Sequence, residues 1–148
     1  MRLWHEALIP LLPRKQLLGQ HRECCALRGK GWGKPHATVN YVFDHPYEWL
    51  WAYHVKVMKE MLNRGYKVSP EWYAMGYQGK SKPHRVYYHP GYEHEVGALE
   101  LHRAPDSTVL NDKLRPGTMV YPEHNREYMQ ECLDNLSKKG IFINGLTH

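Results

Sequence analysis

"PYEWLWAYHVKVMKEMLNRG", Pro46 to Gly65, is the stretch on which the reading of the fold turns. Proline suits the first turn of a helix, and glycine suits its stop. Between them Leu50, His54, Val57, Met58, Met61 and Leu62 recur at the spacing of one buried helix face. The pattern predicts a helix from about Pro46 to Arg64.

Two further segments read the same way. One starts at Pro13 and runs to about Arg28, where Gly29 and Gly31 stop it. At about 100° per residue, Leu17, Leu18, His21, Cys24 and Cys25 fall on one side and Gln16, Gly19, Gln20, Glu23 and Leu27 on the other. Cys24 and Cys25 are therefore expected as core thiols. The other segment runs from Pro122 to Lys139, ends at Gly140, and carries the stripe Tyr128, Met129, Cys132, Leu133 and Leu136. Residues 66 to 118, rich in Gly, Pro, His and Tyr, show no firm periodicity, although "HRVYYHP" there could form a short strand. The expected fold is mainly α. It is a single compact domain of about three main helices, with a long irregular segment between the second and third.

A chain of 148 residues is one domain by length and can bury a core without staples. Its three cysteines form no closed disulfide set and no CxxC pair, which argues for a reduced, cytoplasmic chain without structural zinc. The apolar run at the start is too short for a signal peptide, and nothing reaches the length of a membrane span. Eleven histidines invite a metal, but "HEVGALELH" lacks the HExxH spacing, so the histidines read as scattered over the surface. No metal and no cofactor are expected.

The formal net charge of +5 and a pI near 9.1 suit a polyanionic partner. Between Glu6 and Asp44 the single carboxylate is Glu23, amid Arg14, Lys15, Arg22, Arg28, Lys30 and Lys34. Such an acid is either an ion-pair partner or a group that stabilises a cationic sugar or moves a proton. A second candidate surface spans Trp72 to Tyr92, free of acids, where aromatics interleave with Lys80, Lys82 and Arg85. The α-amine is a third feature. Near neutrality part of it is an uncharged nucleophile, and bulky Arg2 predicts that Met1 is retained.

"MRLWH" at the start, "GQHRE" in the first helix, "HATVNY" and "MLNRGYKV" together resemble the pyrimidine dimer DNA glycosylase family. The likeness covers residues 1 to about 68 well and the helix from Pro122 to Gly140 loosely. It implies that Met1 supplies the nucleophilic amine and that Glu23 is the catalytic glutamate. Arg2 and Arg22 match phosphate-holding arginines, and Arg28 roughly matches a third. With the surrounding basic residues, the expected DNA-contacting set is Arg2, Arg22, Arg28, His21, Lys30, Lys34, Lys80 and Lys82.

The resemblance implies a DNA glycosylase with AP lyase activity on UV-induced pyrimidine dimers, working as a monomer on damaged double-stranded DNA through a Schiff base. Two alternatives stay open at this level. One is a non-catalytic DNA-binding module in which Glu23 orients Arg22, and the other is a same-scaffold glycosylase for a different modified base.

Overall fold

A computed structural model describes residues 3–31, 40–43, 45–79 and 118–143. Among these the secondary structure is helical, without strands. The chain enters as an extended stretch, makes a 3-10 helix at Glu6–Leu11, and continues into α1 (Arg14–Ala26), which widens into a π turn at Leu27–Gly31. A single-turn helix α2 (Asn40–Phe43) precedes the long α3 (Tyr47–Asn63). A 3-10 turn at Pro70–Tyr73 and then α4 (Arg126–Lys138) complete the described elements.

The three expected helices are present, with α4 starting later than the proline at 122 suggested. Asn125 is the reason: its side chain accepts the Tyr128 N–H at 2.9 Å, capping a helix that Pro122 merely precedes. Gly65 and Gly140 take φ of +83° and +79° and end α3 and α4. In each case the next amide folds back five residues, Tyr66 to Met61 and Ile141 to Leu136, both at 2.9 Å.

α3 is the axis of the core. Leu50, His54, Val57, Met58 and Met61 are buried as expected, but so are Tyr47, Trp51, Ala52, Tyr53 and Val55. A helix apolar nearly all round is covered on most sides: α1, α2 and the first 3-10 helix pack against it. Leu62 departs from the expected stripe and is half exposed. On α4, Met129, Cys132 and Leu136 are buried and Tyr128 and Leu133 pack beside them.

On α1 the buried arc is Leu17, Gln20, Cys24, Leu27 and Arg28. The assignment of Gln20 and Leu27 to the open side is therefore corrected. Gln20 can lie inside because its carbonyl oxygen accepts the Trp4 N–H at 2.7 Å, meeting the cost of burial. A second buried polar anchor ties distant segments together. Glu6 accepts from Lys56 Nζ and, at 2.8 Å, from the Val120 amide, while the same ammonium donates to the Thr118 carbonyl.

Residues 66–79 are irregular apart from the Pro70–Tyr73 turn, as the composition suggested. The "HRVYYHP" stretch and the rest of residues 80–117 fall outside the described residues. No helix among the described residues is long and apolar enough to cross a membrane.

Candidate active site

The described part of the site is built where the extended stretch at Leu3–His5 meets α1. Trp4 is held on both sides of its peptide unit: its N–H goes to Gln20, and its carbonyl accepts the Tyr53 hydroxyl at 2.6 Å. One residue earlier, the Leu3 carbonyl accepts the Tyr128 hydroxyl. Glu23 stands three residues beyond Gln20 on α1, so both side chains lie along one strip of the helix. Glu23 is half-buried, with its Oε1 shut off from solvent.

Arg22 is exposed, and its Nη2 reaches back to 3.7 Å from where a Cβ on Gly19 would stand. The glycine leaves room for that guanidinium to lie back along the helix. Met1, Arg2, Lys34, Lys80 and Lys82 fall outside the described residues, as does the side chain of Lys30.

Arg28 is not the surface cation that its sequence position suggested. It is fully buried, and its five N–H groups are taken up inside the fold. Nε donates to the Tyr47 hydroxyl at 3.0 Å, and Nη1 donates to His54 Nδ1 and the Trp72 carbonyl, each at 2.8 Å. Nη2 donates to the carbonyls of Ala74 at 2.9 Å and Tyr77 at 3.1 Å, with Met75 at 3.4 Å. The rings of Tyr47 and Trp72 flank the same cation. Its donors are spent on carbonyls, so phosphate binding is reassigned away from Arg28. Gly29 completes the contact. A Cβ there would stand 2.8 Å from the Gln78 carbonyl oxygen, so the 72–78 segment can close onto α1 only against a glycine.

The histidines also correct the sequence reading. Those described, His5, His21, His45, His54 and His124, are all buried or half-buried. The imidazoles of His21 and His54 meet at 2.8 Å, and Cys25 Sγ lies 3.8 Å from His21 Nε2 and 3.9 Å from His54 Nε2. The signal was there: His21 and Cys25 are four apart on α1, and His54 sits on the apolar stripe of α3.

The ligand atoms of His21, Cys25 and His54 fall within 4.8 Å of one another, a spacing a borderline-soft divalent ion would accept. The wiring argues against that use. A guanidinium only donates, so His54 Nδ1 accepts from Arg28 and Nε2 keeps its hydrogen, directed at His21 Nδ1. A cation at His54 Nε2 would have to expel that proton beside a buried arginine. Burial pushes the His54 and His21 pKa values down, and neighbouring Arg28 and Arg22 add to the effect.

Burial also raises the Cys25 thiol to about 11 and the Cys24 thiol well above its usual range. Neither thiol is a nucleophile near neutral pH. What this region can offer for chemistry is a carboxylate, an exposed guanidinium and whatever the anchored chain start carries.

The family model described as pyrimidine dimer DNA glycosylase matches residues 1–74, half of the chain; phage T4 endonuclease V belongs to that family. The match takes in the extended entering stretch, Glu23, the buried Arg28 and the start of the segment that Arg28 fastens. No curated protein and no solved structure matches the chain.

Proposed function

We propose, for a chain that belongs to the pyrimidine dimer DNA glycosylase family, that it repairs UV-induced pyrimidine dimers in duplex DNA as a glycosylase with AP lyase activity. The observation that carries the finer reading is the anchoring of the Leu3–Trp4 stretch beside Gln20, one helical turn before Glu23. Three residues of chain extend at most about 11 Å, and three residues of helix rise about 4.5 Å. On this reading the Met1 amine, three residues before Trp4, acts together with the Glu23 carboxylate.

The chemistry follows from those two groups. The uncharged Met1 amine attacks C1′ of the damaged nucleotide's sugar, and the glycosidic bond breaks with its electron pair leaving on the base. Ring opening gives a Schiff base between the amine and C1′. Glu23 stabilises the developing positive charge and then takes the C2′ proton. The electrons released expel the 3′ phosphate, cutting the strand by β-elimination. Arg2 and Arg22 hold phosphates, with Lys30, Lys34, Lys80 and Lys82 as further candidate phosphate contacts; His21, turned onto His54, is left out of that set. Neither group requires a metal for these steps. The duplex is opened and the target nucleotide turned out, at a cost of a few kcal/mol that new contacts offset.

Borohydride trapping on a UV-irradiated duplex, with an abasic duplex in parallel, tests the reading. The expected result is a covalent adduct on both duplexes that maps to Met1. An adduct with the abasic duplex alone would keep the lyase chemistry and point to a different modified base. An adduct with neither, alongside normal duplex binding, would leave a DNA-binding module and overturn the enzyme.

A further inference from the structure

Lys15 and Arg22 stand seven residues apart on α1, which is two turns and about 10.5 Å of helix. At about 100° per residue they fall on one line, with Gly19 between them and Ala26 a turn beyond. Both cations are exposed, and Gly19 and Ala26 are partly so. Glu23 stands on the neighbouring strip, about 80° round the helix from Lys15.

The fold gains little from this choice of residues. Lys15 puts a positive charge in the first turn of α1, where the peptide dipoles favour an acid, and that turn holds none. Gly19 has helical φ, and an added Cβ would meet only Arg22 Nη2 at an ordinary 3.7 Å. A glycine there costs helix stability with no packing return.

The two cations are also left without counter-charges. Neither has a carboxylate three or four residues away, where a helix would seat a partner. Among the described residues neither forms an ion pair, whereas Lys56 pairs with Glu6 and Arg64 with Glu60. Arg14, beside Lys15, is used inside the fold, with its guanidinium over the Tyr66 ring at 5.3 Å. Disagreements of this kind between local sequence and fold gather at functional surfaces.

We propose that the Lys15–Gly19–Arg22 ridge carries one strand of the duplex, with Lys15 and Arg22 each on a phosphate. Gly19 lets the Arg22 side chain lie flat and the sugar–phosphate backbone come close above it. A strand advances about 3.4 Å of axis per nucleotide, so the two cations span about three nucleotides. Phosphate contacts fix the register of a protein on DNA. Held along this ridge, the strand's sugars pass beside the strip that carries Glu23. The inference rests on duplex DNA being the substrate and adds Lys15 and Gly19 to the surface that receives it.

Affinity of the whole chain for a UV-irradiated duplex, followed across salt concentrations, tests the ridge. Lys15→Gln keeps a long polar side chain and removes the charge. It should weaken binding about five- to tenfold near 0.1 M salt and lower the slope of log affinity against log salt by about 1. Lys139→Gln removes an exposed cation at the end of α4 and should keep the wild-type slope. An unchanged slope in Lys15→Gln, or an equal loss in Lys139→Gln, overturns the assignment.

Gly19→Gln separates a structural glycine from one that admits a strand. Glutamine forms helices better, so the melting temperature should rise. Duplex affinity should fall by about tenfold, the scale of one lost phosphate contact. A glycine serving the fold alone would not move stability and binding in opposite directions. The new side chain also crowds Arg22, so the same change is made in Arg22→Ala, where a further loss of affinity is expected. No further loss there, or wild-type affinity in Gly19→Gln, takes the strand off Gly19. A wild type that binds no duplex would overturn the proposed function and the ridge together. One that binds, with all of these variants matching it, overturns the ridge alone.

Discussion

Arg28 donates to His54 Nδ1 at 2.8 Å, and that bond decides which nitrogen of His54 carries hydrogen. It also decides what Arg28 is for. A cation with no solvent exposure, bonded to a histidine, a tyrosine and several carbonyls, fastens the 72–77 segment to α1 and α3. Arg28→Lys keeps the charge but brings three rotatable donors where five fixed ones are used. It is expected to cost on the order of 3 kcal/mol, because buried carbonyls and a ring nitrogen lose their donors. Urea unfolding reads this directly, and a midpoint shift below that of a typical surface substitution would contradict the structural role.

Arg22, six residues earlier, should behave in the opposite way. It is exposed and lies back over Gly19. Arg22→Ala should leave stability within about 0.5 kcal/mol. It should weaken duplex binding alike across sequences and lower the slope of log affinity against log salt by about 1. An unchanged salt slope would remove Arg22 from the phosphate-binding surface.

Two glycines of the same region are predicted to respond with opposite signs. Gly19 sits inside α1 with helical φ, and an added Cβ meets Arg22 Nη2 at an ordinary 3.7 Å. Gly19→Ala should stabilise by about 0.5 to 1 kcal/mol, since alanine loses less freedom on forming a helix. Gly29→Ala drives its Cβ to 2.8 Å from the Gln78 carbonyl oxygen, a backbone atom that cannot swing away. It should destabilise by about 1 to 3 kcal/mol. Melting temperatures of the pair decide the matter, and a shift of the same sign in both would be inconsistent with the packing described.

Acid should weaken the fold through its buried histidines. Burial, with His5 adding to it, pulls His124 down to about 3, and His54 and His21 are lowered as well. The unfolded chain binds these protons near pH 6.5 while the native state does not. Stability is therefore full above about pH 6.5 and falls as pH drops toward 3, by up to about 1.4 kcal/mol per pH unit for each such histidine. For His124 the loss levels off below about 3. A melting temperature that stays level from pH 7 to 4.5 would show that these imidazoles are not held neutral.

Glu23→Gln tests the carboxylate itself. The amide keeps the shape, so duplex affinity should hold within a few-fold while strand cleavage falls by at least about a hundredfold, the usual contribution of a general base. Cleavage at the wild-type rate would return Glu23 to the role of an ion-pair partner.

The sequence by itself determined the helices, the isolation of Glu23 among cations and the family of the first half. Each of these depends on residues close together in the chain: the period of apolar side chains in Pro46–Gly65, glycine stops at Gly65 and Gly140, and adjacent Arg22 and Glu23. The start of α4 was missed by a few residues because a side-chain cap at Asn125 outweighed a proline. Tertiary structure alone decided the fates of Arg28 and Gln20. Whether a polar group can be buried depends on partners that pay back its lost hydration, and such partners are brought together only by folding. Those of Arg28 lie 19 to 49 residues away in sequence, and Gln20 meets Trp4 from 16 residues before it and Tyr53 from 33 after. The bond from the Tyr128 hydroxyl to the Leu3 carbonyl is the extreme case, spanning 125 residues. No spacing along the chain announces it, because it exists only where α4 closes over the chain's first turn.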